Sequence, residues 1–333
     1  MVKLLKLFAQ CIPVKGKKRS IIYDLQRNDY EFIPNDTYDL LRTCEGKTID
    51  EINQIYSGNE DQIKEYIDFL LEKEYIFWCE DSDYNFFPPL NTEWDYPAHI
   101  SNAVIEINQL DHFNVKEVIS QLEKLGCQFI LFKNKGSFNT DFYNHLLSEI
   151  TESSVRSIQI IADYSHEILA SEIKKFVKLN KRVQNIYFYK SEKDKFYRIN
   201  DSRIFFIKRK LEKNISNVNP LNFVVNLPLF MEMQFHNAYF NRKVSIDSKG
   251  NIKNSLHTEN SYGNIFEHNI SDVVKLTEFK EYCNVTKDKI KKCQDCEFRF
   301  MCVDNSILIF NKKENIWERA TECNYNPNLA KWS

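Results

Sequence analysis

Apolar and polar positions follow three different rhythms along the chain, and each predicts a different kind of structure. From the start to about residue 81, short runs rich in β-branched and aromatic side chains come first: "LLKLFAQCI", "RSIIYDL" and "YEFIPN", separated by the polar stretches "KGKK" and "QRND". Such runs between turn residues predict three strands joined as hairpins. A helical rhythm follows. Asn35 or Asp36 is placed to cap "TYDLLRTC", Gly46 to end it, and Thr48 with Glu51 to form a capping box for "IDEINQIY". In "EDQIKEYIDFLLEKE" the residues Ile63, Tyr66, Ile67 and Leu70 fall at i, i+3, i+4 and i+7, one face of a third helix. "YIFWC" reads as a closing strand.

The prolines and mixed polarity of "DYNFFPPLNTEWDYP" mark a linker over 83–97. Beyond it, strand runs alternate with helical runs. "NAVIEINQ" precedes "VKEVISQLEKLG", "CQFILF" precedes "TDFYNHLLSEI", "VRSIQIIADY" precedes "HEILASEIKKFVKLN", and "VQNIYFY" follows. The runs "SRIFFIK" and "LNFVVNL" add two candidate strands. Alternation at this spacing predicts parallel βα units, as an open sheet or a barrel left incomplete at five or six strands. In the last segment "KVSID" and "NIKN" flank "SKG", a hairpin in which Gly250 supplies a positive φ. Thereafter the pattern becomes irregular, and cysteines replace a hydrophobic core.

Those cysteines are Cys293, Cys296, Cys302 and Cys323, spaced C-x2-C-x5-C-x20-C. Five of the nine cysteines fall in the last 51 residues, and in a reducing cytoplasm such clustering reads as metal ligation rather than disulfides. Four thiolates suit tetrahedral zinc or an iron–sulfur cluster. One C-x2-C knuckle in place of the two of a zinc ribbon tilts the array toward a cubane. Cys11, Cys44, Cys79 and Cys127 sit singly in apolar contexts and read as small buried hydrophobes, as does Cys283. Asp304, two residues after Cys302, is placed to accept hydrogen bonds that orient the cysteine loop. Arg299 and Glu297 read as solvated or paired surface charges. His236, with Asn237 beside it, is open to a ligand or proton-transfer role, but no partner triad accompanies it and a structural histidine is the favoured reading.

Composition narrows the function. Net charge is −2 with acids and bases interleaved, so no one-sided basic face marks a nucleic-acid binder. No run of about 18 apolar residues spans a membrane. Lys6 interrupts the apolar start, no small-residue cleavage site follows, and the expected location is the cytoplasm. The seven glycines are too far apart for any G-x-G-x-x-G or G-x4-G-K-[ST] phosphate loop.

Three resemblances join these readings. Strands followed by three helices, with "CEGKTIDEI" between the first two helices, resemble the small winged-helix domain typified by PqqD, the RiPP recognition element. That likeness implies that a precursor's leader peptide adds as a strand beside Tyr30, Glu31, Phe32 and Ile33 and packs on Ile63, Tyr66, Ile67 and Leu70. The run "C-x2-C-x5-C-x-D" with a later lone cysteine resembles the C-terminal half of a SPASM domain. It implies that Cys293, Cys296, Cys302 and Cys323 hold one auxiliary [4Fe–4S] cluster, with zinc as the alternative. Ser306, Ser255 and His257 stand where that family's second auxiliary cluster would take cysteines. The radical SAM C-x3-C-x2-C loop is missing after "NAVIEIN", where the chain reads "QLDHFNVKEVISQLEKLG", and "KNKGS" stands where that family has a glycine pair. No S-adenosylmethionine is therefore expected.

The whole chain, through segments such as "HNAYFNRK", "CEFRFMC" and "ECNYNPNLAKW", is similar to the SPASM-domain peptide maturases of grasp-with-spasm systems, which make graspetide-type RiPPs. The expected fold is α/β and multidomain. It has a winged-helix domain over 1–82, a linker over 83–97, an incomplete parallel β/α barrel of radical SAM type over 98–237, and a SPASM-like metal-binding domain over 238–333. The implied role is an accessory protein that binds the precursor peptide and works with an ATP-grasp ligase, without cleaving S-adenosylmethionine. A cluster-dependent redox enzyme acting on the peptide and a winged-helix regulator remain as alternatives.

Overall fold

The apolar runs at the start of the chain form four strands rather than three. β1 (Lys3–Leu7), β2 (Cys11–Val14), β3 (Ser20–Asp24) and β4 (Asp29–Ile33) precede three helices, α1 (Asn35–Cys44), α2 (Ile49–Ile55) and α3 (Glu60–Glu72), and a fifth strand, β5 (Ile76–Glu80). The run "LLKLFAQCI" breaks after Leu7. The Phe8 amide donates to the Tyr75 carbonyl at 3.0 Å and the Cys11 amide to the Phe8 carbonyl at 2.9 Å, which turns the chain and sends its two halves into different sheets. β1 pairs antiparallel with β5, while β2, β3 and β4 form a separate antiparallel meander with β4 at one edge. The structure is a computed structural model and describes residues 2–108, 114–211 and 218–333.

Helix boundaries follow local chemistry. Both bonds of the Thr48–Glu51 capping box are present, at 3.2 Å to the Glu51 amide and 2.8 Å from the Thr48 amide. Gly46, at φ 79°, takes the chain out of α1 in the left-handed conformation. The expected side-chain cap of α1 is absent: Pro34 occupies the cap, and the Asn35 amide oxygen instead accepts from the Ser20 hydroxyl at 2.7 Å. Ile63, Ile67 and Leu70 of α3 pack with Leu5, Ile22, Leu40 and Ile52 in one core.

From residue 102 the predicted alternation is realised. β6 (Asn102–Ile107), α4 (Val115–Lys124), β7 (Phe129–Ser137), α5 (Thr140–Glu149), β8 (Ser157–Asp163), α6 (Ala170–Leu179) and β9 (Val183–Tyr189) alternate strictly. A hairpin of β10 (Lys195–Ile199) and β11 (Ser202–Ile207) follows, and β12 (Lys243–Ile246), β13 (Asn251–Lys253) and β14 (Gly263–Asn264) come later in the chain. Together they form one mixed, mostly parallel nine-stranded sheet in the order β10-β11-β9-β8-β7-β6-β12-β13-β14. The run from β11 to β12 is parallel, and β10, β13 and β14 are antiparallel additions at the two ends. Because β6 to β9 add in one direction, right-handed crossovers set α4, α5 and α6 on one face. Ile105, Ile130, Phe132, Ile160, Ile186 and Phe188 are buried against them.

Gly250, at φ 82°, makes the turn between β12 and β13 as expected. "LNFVVNL" is not a strand. Asn219 and Pro220 start a 3-10 turn over Pro220–Asn222, and Asn226 then caps a helix over Leu227–Phe235. A proline and two asparagine caps override the β-branched composition.

Two compact units result. One contains the described residues of 2–94, 218–236 and 285–333, and the other those of 95–211 and 237–284. The irregular last segment is therefore divided: its β12–β14 part belongs to the nine-stranded sheet, and its cysteine-rich part belongs with β1–β5. No described helix is long and apolar enough to cross a membrane.

Candidate metal centre and peptide edge

The cysteine segment folds by successive tight turns. Lys292 adopts φ 65° just before Cys293, the Cys296 amide donates to the Cys293 carbonyl at 3.0 Å, and the Cys302 amide to the Phe298 carbonyl at 3.1 Å. A hairpin of Leu308–Asn311 and Ile316–Arg319 returns the chain, and a second of Tyr325–Asn326 and Lys331–Trp332 fixes the segment after Cys323. As a result Cys293, Cys296, Cys302 and Cys323 line one pocket, together with Lys287, Asp304 and Arg319. Among the described residues no three His, Cys, Asp or Glu side chains stand close enough together to hold a single metal ion.

The charged groups of the pocket are buried and mutually arranged. Asp304 takes a Lys287 ammonium on one carboxylate oxygen, and the Ser306 amide at 2.8 Å and the Arg319 guanidinium at 3.3 Å on the other. The Lys287, Asp304 and Arg319 side chains are each 5% exposed, so the trio is desolvated. Burial works against the Asp304 carboxylate, but Lys287 and Arg319 outweigh it and hold the group down to about 2. Burial also works against the Lys287 cation, and Asp304 followed by the Cys293 and Cys302 sulfurs raises its pKa in spite of this. The thiols move the other way. Burial pushes up Cys293, Cys296 and Cys302, the last to about 12, while Lys287 pulls Cys293 and Cys302 back. Two cations against one carboxylate suit a pocket in which four sulfurs become thiolates around a soft metal.

Glu297, read from sequence as a surface charge, is fully buried. One carboxylate oxygen accepts from Arg19 Nε at 2.8 Å and from the Tyr325 hydroxyl at 2.5 Å, and its carbonyl accepts from the fully buried Tyr23 hydroxyl at 2.9 Å. Arg299 is a paired charge: it stands 3.8 Å from Asp288 and also donates to the Lys15 and Cys296 carbonyls. The Lys17 amide donates to the Asp295 carbonyl at 2.8 Å. A Cβ on Gly16 would stand 3.0 Å from that of Glu297 and 2.4 Å from the Arg19 carbonyl, so the β2–β3 turn tolerates only glycine there. The cysteine loop is thus fastened to the N-terminal meander by buried polar bonds that neither segment shows alone.

The residues assigned to peptide binding divide into two sets. On β4, Tyr30 and Phe32 share one face and meet the Phe298 ring edge-on at 6.3 and 5.8 Å, and Arg19 stacks 3.5 Å over Phe32. Phe298 lies between Cys296 and Cys302, so the cysteine loop supports the aromatic face of the edge strand. Glu31 points the other way to a 3.1 Å ion pair with Lys73, and Ile33 is buried. Of the assigned residues on α3, only Tyr66 is half-exposed. Ile63, Ile67 and Leu70 are at most 5% exposed, because the face read as a docking surface is the one that closes the core.

The remaining assignments are dispersed. The His236 amide closes the helix over Leu227–Phe235, while Asn237 belongs to the other unit and turns the chain toward β12 by accepting the Phe240 and Asn241 amides. Cys11, Cys44, Cys79 and Cys127 are buried, as is Cys283, whose thiol faces the Phe240 carbonyl at 3.4 Å. Part of the loop after β6, residues 109–113, lies outside the described residues.

Composition gave no hint of polar side chains gathered along β6, β7 and β12, inside the apolar sheet. Glu106, 7% exposed, pairs with Lys135 at 2.7 Å, and Lys133 stands 4.0 Å away. Lys243 is buried 3.4 Å over the Tyr239 ring, and the Tyr239 hydroxyl lies 3.1 Å from Ser255. Burial lowers the pKa of both Lys243 and His257, with Lys133 and Lys243 adding to the effect on His257. The signal available in the sequence was the occurrence of Glu106 and Lys133 inside apolar strand runs.

No protein-family model matches the chain, and no curated protein matches it. Among solved structures it is similar to Streptococcus suis SuiB, at 11% identity over 89% of this chain and 94% of that one, with a TM-score of 0.34. The same protein bound to S-adenosylmethionine matches at 11% identity and a TM-score of 0.29, and bound to the precursor peptide SuiA at 11% and 0.32, each over 90% of this chain and 94% of that one.

Proposed function

We propose that this chain is an accessory protein of ribosomal peptide maturation. It binds a precursor's leader peptide along β4, works with an ATP-grasp ligase, and carries a structural [4Fe–4S] cluster on Cys293, Cys296, Cys302 and Cys323. The observation that carries this reading is the shared pocket of the four cysteines, built into the same unit as the β4 edge and touching that strand's aromatic face through Phe298. The N-terminal segment then serves as a PqqD-like recognition domain, and the cysteine segment as a SPASM-like module that stiffens it. The nine-stranded sheet stands in the place of a radical SAM barrel.

Held by those four thiolates, the cluster would supply a structural cross-link between segments of the loop. The chain's own residues do the rest. Lys287 and Arg319 would offset the negative charge of ligated sulfurs, and Asp304 holds those two cations in place. Leader binding adds main-chain hydrogen bonds at the free side of β4, with Tyr30, Phe32 and Tyr66 reading side chains.

The test is anaerobic purification followed by iron, sulfide and zinc analysis and leader-peptide anisotropy, on the natural chain and on Cys296→Ala. About four irons and four sulfides per chain, with both metal and peptide affinity reduced in the variant, is the expected result. One zinc and no iron would replace the cluster by a zinc clasp. A metal-free chain that still binds the peptide at full strength would refute the role given to the cysteines.

A further inference from the structure

β10 is the outermost strand of the nine-stranded sheet, and its far side pairs with no described strand. Alternate N–H and C=O groups along Lys195–Ile199 therefore face outward, the template on which a further strand forms. Its side chains are unusual for an edge: Phe196 is 56% exposed and Tyr197 49%. Beside the strand lies a hollow lined by Ala170, Ile173 and Lys174 of α6, by Ile204 and Phe206 of β11, and by Tyr164. Tyr197 and Tyr164 both stand edge-on to Phe206, at 5.8 and 5.6 Å.

Four cations border this hollow: Lys174 from α6, Lys193 ahead of the strand, and Lys195 and Arg198 on it. None of the four forms an ion pair with a described residue. The single lining carboxylate, Glu192, faces His166 at 3.5 Å.

From these observations the geometry points to a second peptide-binding edge, at β10. Its occupant is an extended acidic peptide segment that pairs with the strand and lowers an apolar or aromatic side chain into the hollow. Charge decides the occupant. A second copy of this chain would bring another Lys195 and Arg198 to the same edge, which electrostatics disfavours, whereas glutamates and aspartates would meet the unpaired cations. Lysines alone would be accounted for as charges that blunt an edge against aggregation, but blunting does not call for an apolar hollow beside the strand. The site lies wholly in the second unit and does not depend on leader binding at β4.

The experiment uses the full chain and a fluorescein-labelled peptide, Glu-Tyr-Glu-Val-Glu-Phe, read by anisotropy. Two control peptides accompany it, one with lysine for every glutamate and one N-methylated at alternate amides. The expected result is saturable binding of the acidic peptide that weakens with salt, and none by either control. Lys195→Glu and Arg198→Glu, at exposed positions, are each expected to weaken binding by at least about tenfold. Lys174→Glu, on α6, is expected to do the same without touching the hairpin. Equal binding of acidic and basic peptides, or indifference to N-methylation, would overturn the proposal. So would a concentration-dependent dimer in sedimentation that Lys195→Glu dissociates, because the occupant would then be a second copy.

Discussion

Replacing Glu297 with alanine tests the claim that the cysteine loop and the N-terminal meander form one folded body. The acid is fully buried and accepts from Arg19 at 2.8 Å and from Tyr325 at 2.5 Å. Hydrogen bonds to a charged group contribute about 1.5–3 kcal/mol each. The Arg19 side chain is 30% exposed and regains water when its partner goes, so its share belongs at the low end. Tyr325, 3% exposed, has no such recourse and is left with an unmet hydroxyl. Together these give a loss of about 3 kcal/mol for Glu297→Ala. In a unit of this size that is a fall in Tm of about 6–12 °C. The assay is selective because Trp78, Trp94, Trp317 and Trp332 are the only tryptophans and all belong to this unit. Tryptophan fluorescence during urea unfolding therefore reports this unit while the other stays silent. A double-mutant cycle with Arg19→Met should return a coupling of about 1 kcal/mol. A Glu297→Ala protein within about 0.5 kcal/mol of the natural chain would refute the reasoning, since that is the range of an ordinary surface substitution.

Three further outcomes follow from the same structure. Asp304→Asn leaves Lys287 and Arg319 buried without their shared anion, so it should cost about 3–5 kcal/mol in the tryptophan-reported transition and lower the metal content of the purified protein. The Cys127 thiol is pushed up to about 12 by burial, above its ordinary 9, so the native protein should resist alkylation there at pH 8, read by mass spectrometry. Because that shift raises an acid's pKa, the stability it contributes is complete below pH 9 and declines by about 1.4 kcal/mol per pH unit as pH rises toward 12, which circular dichroism of the alkaline transition would show. Thr48→Ala removes the capping-box oxygen at α2 and should cost about 1 kcal/mol; an unchanged midpoint would mean that tertiary packing alone fixes that helix start.

Features set by local chemistry were legible in the sequence. The apolar runs of β6 to β9, the Thr48–Glu51 box and the glycine at 250 each act over a few residues, and each appears in the structure where the pattern put it. Local reading failed where distant chain segments decide. The break after Leu7 is stabilised by a bond to Tyr75, and Glu297 looks like any surface acid until Arg19 and Tyr23 are brought to it. The apolar stripe of α3 was visible, but a stripe does not say whether a core or a peptide covers it. For the cysteines, the spacing identified the set; the cations beside them, Lys287 and Arg319, come from flanking segments with no motif of their own.

The bond between Arg19 and Glu297 joins positions 278 residues apart. During synthesis β2, β3 and β4 emerge well before the loop that buries Tyr23 and braces Phe32. The nine-stranded sheet needs nothing beyond about residue 284 and is free to fold first. Until the cysteine segment leaves the ribosome, the meander is an unfinished surface with exposed aromatic side chains and an open strand edge. A chain cut short anywhere before Cys293 would keep that surface permanently. Chains cut short there are therefore expected to be handled by chaperones and proteases, and only chains that include the cysteine segment would accumulate with a finished β4 edge.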